Sequence, residues 1–138
     1  MAFEKPVLIQ SFTAASAMTN STNQFSLVKQ SSTGTVLPCS AATDVPLGVL
    51  QNLPDIGQEA MVLMLGISKV RVGATDITLA SYALIATDAT GRAALASGAA
   101  GSQTYCVGRV IMTDAADNDA ALVTAAINTC TAMLLRAF

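Results

Sequence analysis

The chain has 138 residues, of which 52% are hydrophobic and only 12% are charged, and its formal net charge is −2. This length fits a single domain with one sizeable core. The scattered Lys and Arg residues offer no basic patch for nucleic acid. The longest strongly apolar run, residues 60–67, is too short to cross a bilayer. The sequence therefore predicts a protein that binds neither nucleic acid nor a membrane.

The low charge favours a surface that is covered by a partner or by other copies of the chain, because soluble surfaces usually carry more charge. The alternative is a monomer whose surface is rich in Ser, Thr, Asn and Gln. The three cysteines, Cys39, Cys106 and Cys130, fit neither a disulfide framework nor a zinc site, because they are odd in number and widely spaced. We expect reduced, mostly buried thiols in a protein made in a cytosol, and no secretory signal is visible at the N-terminus.

The first apolar run is Val7, Leu8 and Ile9, which forms either an edge strand on the body or an extended arm. Residues 13–23 are small and polar without periodicity, which is typical of a loop or connector. We predict an N-terminal arm and connector over residues 1–23, a β-domain over residues 24–128 and a C-terminal tail over residues 129–138. The tail either packs on the body or inserts into a neighbour.

Residues 24–30 alternate in polarity, and after a turn at residues 31–34 the chain returns, which predicts a hairpin. The middle of the chain, residues 47–73, predicts a meander. Its run over residues 58–65 is apolar on both faces, as in a central strand, and Gly66 separates that run from a second, alternating strand.

A tight turn at residues 88–91 predicts a second hairpin, since Asp88 can bond its own backbone and Gly91 can adopt a positive φ. Residues 104–113 predict a further strand, and residues 120–127 are ambiguous between helix and strand, of which we favour strand. The predicted fold is all-β, a compact β-barrel or β-sandwich with an extended N-terminal arm and a short C-terminal tail.

Catalytic chemistry finds little support. The chain has no His, the commonest general base and metal ligand. Ser68 and Lys69 point to opposite faces of a strand, so they cannot form a dyad. Asp114, Asp117 and Asp119 could hold Ca²⁺, but their segment lacks the Gly and Glu of an EF-hand loop, and a solvated acidic turn is the better interpretation. We predict a protein that is not an enzyme and has no cofactor or metal.

Four segments in this order and spacing carry a resemblance. They are residues 45–51 (VPLGVLQ), 66–70 (GISKV), 88–93 (DATGRA) and 107–110 (VGRV). With the opening residues 3–7 (FEKPV), the chain resembles the small capsid decoration (cement) proteins of tailed bacteriophages over roughly residues 1–128. The tail after Asn128 follows no pattern of that family.

The resemblance implies a structural virion protein that binds the outer surface of the expanded head and clamps neighbouring capsomers. Its implied partners are the major capsid protein and other copies of itself in a homotrimer, after synthesis in the cytoplasm of the host bacterium. We predict that an arm adds a strand to a neighbour's sheet, because backbone hydrogen bonds make little demand on sequence. The predicted capsid-contact residues are Phe3, Val7, Leu8 and Ile9.

Three other functions compete with this one. Another virion component, such as a head-fibre base or a tail protein, would have a similar composition. A small-ligand or glycan-binding β-module is less favoured, because aromatic residues make up 4% of the chain and none is Trp. A hydrolase is the least favoured.

Overall fold

The computed structural model describes residues 5–72, 84–96, 105–112 and 128–134. These residues contain nine β-strands and no helix, which confirms the all-β class for the described part of the chain. Accordingly, no helix long and apolar enough to span a membrane occurs among them. The strands are β1 (Lys5–Ala14), β2 (Leu27–Ser32), β3 (Thr35–Pro38), β4 (Gly48–Leu50), β5 (Glu59–Val72), β6 (Leu84–Thr87), β7 (Ala93–Leu95), β8 (Gly108–Met112) and β9 (Asn128–Leu134).

Strand β5 belongs to two closed circuits of strand pairing. The first circuit runs β1–β3–β2–β4–β5 and closes because β1 pairs antiparallel with β5, from Lys5 opposite Ile67 to Thr13 opposite Glu59. The second circuit runs β5–β7–β6–β8–β9 and closes because β9 pairs antiparallel with β5 over residues 66–72. The first half of β5 therefore serves one circuit and its second half serves the other. The pairs β1–β3 and β5–β7 are parallel, and the others are antiparallel.

Two buried clusters lie on opposite faces of the sheet formed by β2, β4 and β5, which we call the shared wall. The first cluster contains Ala14, Met18, Val28, Val36, Leu50, Ala60 and Val62. The second contains Leu27, Cys39, Val49, Leu63, Val70, Val72, Ile85, Ala93 and Val107. Successive residues of the wall enter different clusters because side chains alternate along a strand. The prediction of a central strand, apolar on both faces, is confirmed by Val62 and Leu63, which are both buried.

A glycine sets the spacing within this wall. Gly48 begins β4, and a Cβ atom added there would lie 2.2 Å from the carbonyl oxygen of Leu63 on β5. No side chain fits into such a distance, so β4 can approach β5 this closely only with glycine at this position.

The predicted break at Gly66 is wrong. Gly66 has φ of 130° and lies inside β5, which continues from Glu59 to Val72 as one strand of 14 residues. The glycine permits this backbone conformation without ending the pairing, since residues on both sides of it pair with β1 and β9. A glycine between two apolar runs thus marks an irregularity of the strand here rather than a turn.

The predicted hairpins are present. β2 and β3 pair antiparallel around a turn that contains Gly34, whose φ is 75°. The first hairpin strand begins at Leu27, later than predicted, because Phe25 has φ of 63° and lies in a turn. β6 and β7 pair around the turn at residues 88–91, where Asp88 Oδ1 accepts hydrogen bonds from the backbone amides of Thr90 and Arg92.

The two ends of the described chain lie in the sheet. Residues 5–14 form β1, which pairs with β5 of the same chain. Val7, Leu8 and Ile9 therefore lie in a strand on the body, which is the first of the two predicted alternatives, and not in an arm that extends away from it. β9 covers most of the predicted tail and packs on the body through β5 and β8. Phe3, the strand predicted over residues 120–127 and the acidic segment 114–119 lie outside the described residues.

Candidate functional site

Five large apolar side chains are exposed on β1 and the adjoining half of β5. They are Val7, Leu8, Ile9, Met61 and Leu65, with exposed fractions of 68%, 42%, 39%, 40% and 41%, and we call this set the β1 face. On β5, Met61 and Leu65 are exposed to a similar extent, and the buried Leu63 lies between them in the chain. Large aliphatic side chains on paired strands are usually buried, and the exposed side of a sheet usually carries polar side chains.

The pairing of β1 with β5 is irregular beside Leu8 and Ile9. Leu8 is opposite Leu65 and Ile9 is opposite Leu63, although Leu8 and Ile9 are consecutive, because the pairing shifts between them. The shift leaves Met64 of β5 without a partner on β1, which is a bulge in β5.

The β1 face has a polar boundary at one end. The hydroxyl of Ser11 donates a hydrogen bond to the carboxylate of Glu59, and both residues are exposed. Residues 6–12 include no charged side chain. The face is thus uncharged, with a single acidic group at its boundary on β5.

The outer edge of β1 has no strand partner among the described residues along most of its length. β3 pairs with β1 only at Thr13 and Ala14, and no other strand of the described chain pairs with the outer edge before Thr13. The amide of Thr13 donates to the carbonyl of Gly34, away from β5. Because this direction alternates along a strand, the amides and carbonyls of Ile9 and Ser11 also point away from β5, toward the open edge.

The predicted contact residues Val7, Leu8 and Ile9 all lie on the β1 face, whereas Phe3 is outside the described residues. The sequence analysis missed Met61 and Leu65. Both lie within residues 60–65, which are apolar at every position. The sequence of this run has no polar–apolar alternation that would indicate which side chains are exposed.

A buried arginine ties the loop before β2 to the second half of β5. Arg71 is 9% exposed; its Nε donates to the carbonyl of Gln24 at 2.6 Å and its Nη2 to the carbonyl of Ser21. Nη1 has no hydrogen-bond partner within the described part of the chain. Burial, together with the nearby charge of Arg92, lowers the pKa of Arg71. The two hydrogen bonds of Arg71 fix the loop before β2 against β5.

Nucleophiles and metal ligands form no catalytic set among the described residues. Ser68 is buried; its hydroxyl donates to the carbonyl of Lys69 and accepts a hydrogen bond from Gln51 Nε2. The ammonium of Lys69 lies 5.9 Å from the centre of the Phe25 ring, so Ser68 and Lys69 engage different partners. Burial raises the pKa of the Cys39 thiol to about 11, which leaves it protonated and unreactive near neutral pH. In the same part of the chain, no three His, Cys, Asp or Glu residues come close enough to hold a metal ion.

Comparison with known proteins adds no family to this description. No protein-family model matches the chain, and no curated protein is similar to it in sequence. The exposed side chains of the β1 face are therefore the structural feature on which a proposed function depends.

Proposed function

We propose that this chain is a structural virion protein, a capsid decoration (cement) protein that binds the outer surface of the expanded head of a tailed bacteriophage. It clamps neighbouring capsomers, with the major capsid protein and other copies of itself as partners. The resemblance of its four segments to that protein family motivates the proposal and implies a homotrimer.

The observation that carries this proposal is the β1 face. Five large apolar side chains stand exposed on two adjacent strands without a charged residue among them, and a concentration of exposed apolar side chains is typical of protein–protein contact. Three of the five, Val7, Leu8 and Ile9, are residues that the sequence predicts to contact the capsid. A rigid, paired strand also loses less conformational freedom on binding than a free arm does.

A decoration role needs only modest affinity at each contact. Several copies on one closed shell act together, because the first contact of an oligomer raises the effective concentration of the remaining ones. Each copy would offer its β1 face for such additive contacts, and no catalytic group is required.

We further propose that each closed circuit is a small barrel, so that the chain is two barrels that share β5. The return of β1 and β9 to β5 supports this interpretation, since a sheet that closes on itself hides its edges. A sandwich of two open sheets is the alternative. The two are distinguished by backbone hydrogen bonds at β1–β3 and β5–β7, which a barrel requires and which scalar couplings across hydrogen bonds in NMR spectra detect directly.

The test is co-sedimentation of the full chain with expanded heads that lack it and with unexpanded heads. We expect saturable binding to expanded heads only. Met61→Ser is expected to lower the affinity roughly tenfold, which corresponds to about 1.4 kcal/mol for the loss of a large apolar contact side chain. Leu84→Ser is the matched control, because Leu84 is 43% exposed and lies on β6, away from the β1 face.

Binding to both kinds of head, or equal loss from Met61→Ser and Leu84→Ser, would contradict the proposed contact. No binding to either kind of head would contradict the decoration role itself. Labelling of the protein on intact particles would then decide between a head-fibre base and a tail component.

A further inference from the structure

We propose that Arg71 and Arg92 form a binding site for one small oxyanion, such as inorganic phosphate. The site lies where β5 and β7 pair, in the second circuit, and not at the β1 face. The inference therefore goes beyond the proposed function and does not depend on it.

The two arginines are neighbours on adjacent strands. Val72 of β5 is opposite Ala93 of β7 in a parallel pair, and both residues are buried. Arg71 and Arg92 each come one position before these partners in the chain. Because side chains alternate along a strand, both arginines leave the sheet on the side opposite to Val72 and Ala93. The charge of Arg92 is close enough to Arg71 to contribute, after burial, to the lowered pKa of Arg71.

Arg71 carries a hydrogen-bond donor that the described chain does not use. Its Nε donates to the carbonyl of Gln24 and its Nη2 to that of Ser21, so the loop before β2 satisfies one edge of the guanidinium. Nη1 is buried and has no acceptor among the described residues. A buried donor of a charged group without an acceptor is costly, and most such groups in native proteins have a partner. This nitrogen is the observation that points to a ligand.

The placement of two like charges side by side also favours an anion. Arg71 and Arg92 repel each other as cross-strand neighbours. Asp88, the acid nearest to Arg92 in the sequence, accepts hydrogen bonds at Oδ1 from the amides of Thr90 and Arg92 within its own turn. Neither arginine forms an ion pair with a carboxylate of the described residues. An oxyanion that accepts from both guanidiniums removes the repulsion, and the forked donors of arginine suit its oxygen atoms.

The exposure of the two side chains determines how an anion enters. Arg92 is half-buried, whereas Nη1 of Arg71 is covered. An anion from solvent therefore meets Arg92 first and reaches Nη1 only after a side-chain rearrangement. Because part of the interaction free energy is spent on this rearrangement, we expect weak binding, with a dissociation constant of about 1 mM.

The experiment is a phosphate titration of the full chain at constant ionic strength, with chloride as the reference anion. The side-chain Nε–H signals of arginine are followed in proton–nitrogen NMR correlation spectra, and thermal unfolding is measured in parallel. We expect the signals of Arg71 and Arg92 to shift saturably. The melting temperature should rise by about 5 °C at about 20 mM phosphate, because the anion binds the folded chain only.

Arg92→Gln is expected to lose this rise in melting temperature. Without phosphate, the variant should melt at the wild-type temperature or above it, because the repulsion of Arg71 is gone, and this result separates a lost site from a folding defect. Lys69→Gln is the matched control. It removes one positive charge from the same side of β5, but the ammonium of Lys69 faces the Phe25 ring, and the variant is expected to keep the rise.

An equal rise in the wild type and in Arg92→Gln would overturn the inference, since it would reflect the general exclusion of phosphate from protein surfaces. Signals of Arg71 and Arg92 that do not shift with phosphate would overturn it as well. The same holds if Lys69→Gln loses as much of the rise as Arg92→Gln does, because phosphate would then respond to the overall charge and not to the two guanidiniums.

Discussion

The two circuits of strands differ in how much pairing closes them. In the first, β1 and β5 pair over the length of β1, and the loop after β1 returns to place Met18, which is fully buried, in the cluster. In the second, β6, β7 and β8 have only four, three and five residues, and β7 pairs with β5 at one position. Of the two parallel pairs, β1–β3 has two paired positions and β5–β7 has one, so we expect amide exchange to be faster in β7 than in β3.

The shared wall makes the two circuits depend on each other. Leu63 and Val62 are neighbours on β5, yet they stabilise different clusters. A change that moves the wall therefore affects both circuits, whereas a change at the far side of one cluster affects that circuit alone. The predictions below separate these two cases.

Gly48→Ala is expected to have the largest effect, because it acts on the wall itself. The new Cβ atom would lie 2.2 Å from a carbonyl oxygen of β5, so β4 has to move away from β5. We expect a loss of about 3 kcal/mol or more in the free energy of unfolding, with both circuits losing amide protection together. Urea unfolding and hydrogen exchange measure these quantities.

The control for this change is Gly34→Ala. Gly34 has a positive φ but no atom within 4 Å of a built Cβ, so only backbone strain opposes alanine there, at about 1 kcal/mol. Equal losses from the two glycine variants would show that the close approach of β4 and β5 is not what requires Gly48.

Met18→Ala tests the first circuit alone. Met18 is fully buried against Ala14, Val28 and other residues of the first cluster, and its removal leaves a cavity. We expect a loss of about 2–4 kcal/mol in the free energy of unfolding, with amide protection falling more in β1 and β3 than in β6 and β7. Met61→Ala is the control, since Met61 is 40% exposed and should change stability by less than about 0.5 kcal/mol. Uniform loss of protection would mean that the two circuits unfold as one unit.

Arg71→Lys tests the tie between the loop and the second half of β5. Lysine has a single nitrogen and cannot donate to both the Gln24 and Ser21 carbonyls in the geometry of a guanidinium. We expect a loss of about 1–2 kcal/mol in the free energy of unfolding and faster amide exchange over residues 21–25. The control is Lys69→Arg on the same strand, which keeps a cation near Phe25 and should leave exchange in that loop unchanged. Unchanged exchange in Arg71→Lys would show that the loop holds its position without the guanidinium.

The sequence predicts the local features of this fold better than its closure. Alternation and turn chemistry identify β2, β3, β6 and β7, because a hairpin is determined by residues close together in the chain. The pairing of β1 and β9 with β5 joins residues at least 46 positions apart, from Thr13 with Glu59 upward, and no local pattern specifies it. The choice between an arm and an edge strand for Val7, Leu8 and Ile9 stayed open for this reason, since both alternatives leave these side chains exposed.

Buried polar and loop residues escaped the sequence analysis for a related reason. Met18 lies in a small, polar segment without periodicity, so nothing local indicates that it enters a core. Arg71 alternates with Val70 and Val72 as an outward residue would, yet the loop before β2 covers it. In both cases, burial is decided by a segment that returns from elsewhere in the chain.

The smallest expected effect concerns the ion pair between Lys29 and Asp44, whose Nζ and Oδ2 atoms are 2.8 Å apart. The hydrogen bond from Lys29, and then those from the Ser40 and Ala41 amides, hold the pKa of Asp44 below its usual value. The unfolded chain therefore binds more protons as the pH falls below about 4, and the contribution of Asp44 to stability is lost as the pH falls through its folded-state pKa. Above the ordinary pKa of aspartate, the contribution is complete.

Asp44→Asn removes this titration. We expect it to lower the free energy of unfolding at pH 7 by about 0.5–1 kcal/mol and to flatten the decline in stability between about pH 5 and pH 2, as measured by urea unfolding at each pH. Asp55→Asn is the control, because Asp55 lies in an exposed turn and makes no ion pair with a described residue. Lys29 is on the shared wall, but its ammonium contacts the loop over residues 40–44 at the surface, so amide exchange in β6 and β7 should stay unchanged in Asp44→Asn. A change there would mean that the surface of the wall, and not only its two buried faces, couples the circuits.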